Sequence, residues 1–110
     1  MTALELAEKH DNLVRWHEEV GGDEDVMREA RLIAAALRLA DATHSYHVAL
    51  RHAAKWNARV NNPFPKEYEL LRASDLNGVA DRFRAAVDRE VAQFRAAAEA
   101  EKEESRGDSV

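Results

Sequence analysis

The chain contains no cysteine in its 110 residues, so it offers no disulfide framework, no thiolate nucleophile and no cysteine-based zinc site. Prolines number two and glycines four, which leaves long stretches with nothing to stop a helix. The glycines lie in separate or doubled turn positions, so no glycine-rich phosphate loop is present. No run of residues approaches the roughly 18 apolar positions of a membrane span, and the opening MTALELAEKHDNL lacks a basic segment followed by an apolar one. The expectation is a cytoplasmic protein with no membrane partner. A chain this short has room for one modest core, which excludes a deep site built from several domains and makes self-association a ready way to bury more surface.

What is present in quantity is alanine, at 21 positions, and arginine in preference to lysine, 12 against 4. This composition suggests a GC-rich coding sequence of the kind carried by actinobacteria and their phages. Charge is unevenly placed. Residues 1–29 carry 9 acids and 3 bases, residues 30–98 carry 7 acids and 11 bases, and residues 99–110 carry 5 acids and 2 bases. A basic middle lies between acidic ends and selects acidic partners by charge.

Periodicity predicts an all-α antiparallel bundle of three main helices, one of them a very long central helix, plus a short connecting helix. The first helix covers 3–20, with Thr2 as N-cap and Glu5 in capping-box position, and Gly21 and Gly22 end it. Its inward side is expected to hold Leu6, His10, Leu13, His17 and Val20. The second helix begins near Asp23 or Asp25 and continues to about Val60, because no proline or glycine intervenes. Pro63 and Pro65 break the chain, residues 66–73 form short turns, and Ser74 or Asp75 caps a last helix over about 76–100. Ala80, Phe83, Val87, Val91, Phe94 and Ala98 form that helix's apolar stripe. Residues 1–100 therefore constitute one domain, and 101–110 an acidic, disordered tail.

The long second helix carries two apolar stripes. One runs nearly its whole length, through Leu32, Leu39, Tyr46, Ala53 and Val60. The other comprises Val26, Ala30, Ile33, Leu37 and Ala40, and the same azimuth then turns polar at His44, His47, Arg51 and Lys55, with Val48 among them. A first helix of about 18 residues spans only roughly 27 Å, half the length of its neighbour. The stripe changes character close to where the shorter helix ends, so the second half of the long helix is expected to be uncovered there. His44, His47, Val48, Arg51, Lys55, Trp56 and Arg59 are the predicted binding residues.

Three occupants of that shelf are chemically distinct. A homodimer would pair the long helices of two copies over Val48 and Trp56. An acidic protein would be selected by Arg51, Lys55 and Arg59. A nucleic acid would use the same three bases, with Trp56 offering a stacking surface. The expected function is a non-enzymatic interaction module, a small dimeric accessory or regulatory protein, with nucleic-acid binding as the alternative and no cofactor required.

Enzymatic readings are weaker in chemistry. Asp41, His44 and His47 stand at i, i+3, i+6 and offer ligand types suited to a divalent metal, yet the spacing drifts about 120° around the helix, so a further ligand such as Asp88 or Glu90 would be needed. The segment EARLIAAALRLAD, with Glu29 and Asp41, is similar over a dozen residues to the all-helical nucleotide pyrophosphohydrolases of the MazG-like kind. That resemblance implies paired carboxylates holding magnesium against a triphosphate, but Leu32 and Arg38 stand where the paired acids belong. A metal-dependent nucleotide hydrolase therefore ranks third.

Overall fold

The computed structural model describes residues 1–108, with side chains described through Lys102. Among the described residues there is no strand, and three helices account for nearly all of the chain: α1 (Ala3–Val20), α2 (Glu24–Val60) and α3 (Glu67–Asp108). The architecture is an all-α antiparallel bundle with a long central helix, as the periodicity predicts.

Local chemistry explains the ends of α1 and α2. Thr2 has an extended backbone, and its hydroxyl oxygen accepts a hydrogen bond from the Glu5 amide at 3.1 Å, satisfying one of the free donors of the first turn. Gly21 closes α1 in the left-handed region, φ 66°, where a Cβ would be strained. Gly22 is needed for a different reason: a Cβ there would overlap the His17 ring. The carboxylate of Asp23 accepts from the Asp25 amide at 2.9 Å and opens α2. After Val60, Asn61 and Asn62 donate back to the carbonyls of Asn57 and Arg59, and the two-proline loop follows.

α3 departs from the sequence reading. The short turns over 66–73 and the separate helix from 76 are one uninterrupted helix, which makes α3, at 42 residues, longer than the 37-residue α2. It is capped at Lys66, whose amide donates to the Glu69 carboxylate at 3.1 Å, and passes through Ser74, Asp75 and Gly78 without a break. The cap-like residues lose because Ala73 and Ala80, seven apart and both buried, need one continuous helix to share a face. The helix also carries through residues 101–108 of the segment expected as a tail, while the expectation for 109–110 lies outside the described residues.

The chain divides into two compact units, Met1–Asp41 with Arg89–Val110, and Ala42–Asp88. The first contains α1 with parts of α2 and α3, and the second is a helical hairpin around the proline loop. Alanine dominates both cores: Ala7, Ala30, Ala34 and Ala35 with Val14 and Met27 in the first, and Ala49, Ala53, Ala73 and Ala80 in the second. In the first unit Val14, Met27 and Ala30 form the central apolar cluster. Asp11 pairs with Arg38 and Glu18 with Arg31, so later residues of α1 meet earlier residues of α2, the antiparallel order.

The rotation of α1 also differs from expectation. Ala7 and Val14 are buried and His10 and His17 half-buried, whereas Leu6, Leu13 and Val20 are 37, 38 and 57% exposed. The helix is turned so that its small residues face inward, which lets the helices approach closely and leaves the leucines outside. On α2 the long stripe is likewise only partly covered: Ala53 is buried and Tyr46 half-buried, but Leu50 and Ala36 are exposed.

Candidate interaction surface

Within the first unit the second stripe of α2 is partly covered, with Ala30 buried, Val26, Ile33 and Leu37 half-buried and Ala40 exposed. Within the second unit the same azimuth is open: His44, His47, Arg51 and Lys55 are all exposed, and Val48 is half-buried.

An open groove of about 590 Å³ lies along this face, lined by His44, His47, Leu50, Arg51 and Ala54. Its floor is apolar because Leu50 and Ala54 stand one turn apart, and small Ala54 admits close approach by another helix. Arg51 supplies the cation of the groove's lining, and Lys55 follows one turn further along α2. Arg51 and Lys55 make no ion pair among the described residues, so their charges are available to a ligand. Across all of 42–66 there are four bases, three histidines and no carboxylate. That signal is plain in the sequence but is diluted when charge is averaged over the whole basic middle.

Trp56 and Arg59 have a more structural place than the remainder of the predicted set. Trp56 is half-buried, with Tyr68 edge-on at 6.5 Å between ring centroids. The Arg59 guanidinium lies 4.4 Å from the Trp56 ring centroid and that of Arg72 6.0 Å, while the Lys66 ammonium stands 5.9 Å from the Tyr68 ring. A ring's negative face holds each cation, so this cluster ties the start of α3 to the end of α2. Beside it, Asn57 and Asn77 exchange amide hydrogen bonds, 3.0 Å in each direction, and fix the register of the hairpin. Phe64, between the two prolines, is 89% exposed. Sequence reasoning missed Tyr68, Arg72 and Asn77, because no periodicity on one helix reveals which residue of another lies opposite.

His44 and His47 line the groove but are not grouped with carboxylates as metal ligands among the described residues. Tyr46 stacks on His47 with centroids 6.1 Å apart, and His52 is exposed. Among the described residues no group of three or more His, Asp or Glu side chains is placed to hold a metal, so Asp41, His44 and His47 are not gathered as ligands. A second cavity, about 540 Å³ and confined to the first unit, is lined by Asp11, Arg31, Arg38, Glu90 and Gln93 over an alanine floor. Both arginines there are paired with carboxylates of α1, and Glu90 is the lining charge with no ion pair among the described residues.

Among the described residues no helix is long and apolar enough to cross a membrane. No protein-family model, curated protein or solved structure matches the chain.

Proposed function

We propose that the chain is a non-enzymatic interaction module, a small cytoplasmic accessory or regulatory protein that acts as a homodimer and engages an acidic protein surface along the second half of α2. The observation that carries this reading is an exposed helical face with an apolar floor at Leu50 and Ala54 and unpaired bases at its rim, in a stretch without a single carboxylate. Charge of one sign speeds encounter and rejects basic surfaces, while the apolar floor supplies the area that holds a bound helix.

Capture from nuclease-treated extract of the source cell tests it, comparing the native chain with a variant carrying Arg51→Glu and Lys55→Glu. Arg59 is left intact because it rests on Trp56. The expected result is one acidic protein recovered by the native chain and lost with the variant. Equal recovery by both would rule the shelf out.

A nucleic-acid reading is favoured by one specific feature, the cations gathered on Trp56 and Tyr68 beside the exposed Phe64. Aromatic faces beside bases suit single strands. Binding of a single-stranded oligonucleotide that weakens as salt rises, and that nuclease treatment abolishes in extract, would replace the protein partner by this one.

A further inference from the structure

The first helix has a face that its own chain leaves uncovered. Leu6, Leu13 and Val20 recur at seven-residue intervals, and Lys9 and Trp16, also seven apart, alternate with them at spacings of three and four. All five are exposed, Trp16 at 56%, so a stripe of large apolar side chains with one cation inside it runs much of the length of α1. Patches of this sort on a small chain mark contact surfaces. Glu5 and Glu19 border one side of the stripe, and none of Glu5, Lys9 and Glu19 makes an ion pair among the described residues.

Lys9 and Glu19 stand ten residues apart, about 15 Å along one helix, so neither neutralises the other within a chain. Turned end for end against itself, the stripe brings them together. A two-fold axis across the helices sets like borders side by side, so with Leu13 opposite Leu13 of the second copy, Leu6 falls opposite Val20, and Lys9 falls between Trp16 and Glu19. The ammonium there meets both a carboxylate and the negative face of an indole. Pairing α2 with α2 offers no such relief, since Arg51 and Lys55 would meet their equivalents with no acid anywhere in 42–66.

We infer that the Leu6–Lys9–Leu13–Trp16–Val20 face of α1 pairs antiparallel with the same face of a second copy of this chain. This rests on the homodimer of the proposed function and names its contact, leaving the shelf on α2 to the acidic partner. α1 lies wholly within the first unit, so the contact requires no residue of Ala42–Asp88. That unit is acidic as a whole, with 16 acids and 9 bases. The apolar stripe therefore supplies the area, and Lys9 is the cation that offsets Glu5 and Glu19 at each end of the contact.

Sedimentation equilibrium of the purified chain, with no extract present, tests the pairing. The native protein is expected at twice its 12.4 kDa mass at micromolar concentration. Lys9→Glu should weaken association by about 100-fold, because it gathers three carboxylates at each end of the contact. Adding Glu19→Lys to that variant should restore the dimer, an outcome that neither loss of folding nor a contact within one α1 can imitate. Leu13→Glu, at the two-fold axis, should leave a monomer, whereas Arg51→Glu with Lys55→Glu should leave the dimer intact. Circular dichroism of each variant checks helix content. A dimer unmoved by Lys9→Glu and Leu13→Glu overturns the α1 pairing and leaves the homodimer standing on another face, and a dimer lost with the α2 reversal alone overturns it too. A native chain that sediments only as a monomer overturns both the pairing and the homodimer. None of these results touches the separate question of whether the shelf captures an acidic protein from extract.

Discussion

The two units are built from the same material and hold together differently. Both have cores dominated by alanine, yet the unit containing α1 carries 16 acids and 9 bases, whereas Ala42–Asp88 carries 5 acids and 7 bases. In the first, bases on α2 are consumed by acids on α1, through Arg31–Glu18 and Arg38–Asp11. In the second, the bases either rest on aromatic rings or stand free. The first unit nevertheless keeps seven negative charges in excess and the second two positive ones, so their surfaces select partners of opposite sign.

The largest break in this comparison should come from the first unit's core. Met27 is 4% exposed and packs in the cluster with Val14 and Ala30, so Met27→Ala should cost about 2–3 kcal/mol, whereas Leu71→Ala, at a side chain 61% exposed, should stay within about 0.5 kcal/mol. Urea titration checks both, as a shift in midpoint at unchanged slope. If Leu71→Ala proved as costly as Met27→Ala, the exposed leucines would have to be counted as core.

The second unit should be sensitive to excess volume rather than to its loss. Ala53→Leu introduces three carbons where the residue is 4% exposed among other buried alanines, and a loss of about 1–3 kcal/mol is expected. Hydrogen exchange should show the faster opening concentrated in 42–88. Uniform acceleration along the chain would show that the two units are not separable in stability.

The smallest effects sharpen the contrast between charged and neutral ties. A double-mutant cycle on Asp11 and Arg38 should give a coupling of about 0.5 kcal/mol that declines with added salt, because the pair is partly open to water. The same cycle on Asn57 and Asn77 should give a similar coupling that salt leaves unchanged, since neither amide is charged. Salt dependence in the amide pair would point to an electrostatic contribution that the geometry does not provide.

The parts of the fold that could be read in advance are those decided within a few residues. Thr2, Gly21, Asp23 and the two prolines act on their own neighbours, and the limits of α1 and α2 follow from them. The break expected at Ser74–Asp75 failed because a cap competes with packing, and the buried pair Ala73 and Ala80 outweighs it. Gly78 has nothing within reach of a Cβ, so it marks no close approach and is simply tolerated at about 1 kcal/mol relative to alanine. The histidine and arginine face of α2 was legible because a change of residue type along one helix is a matter of spacing. Its aromatic border was not, since Trp56 and Tyr68 come from different helices.

By itself the sequence determined the all-helical class, the ends of the first two helices and the one-signed charge of 42–66, since all of these depend on local backbone chemistry and composition. Only the tertiary structure decided which side of each helix turns inward. Hydrophobicity ranks leucine above alanine, but the distance between helix axes depends on side-chain size, and here small residues won the interior and left Leu6, Leu13 and Val20 on the outside.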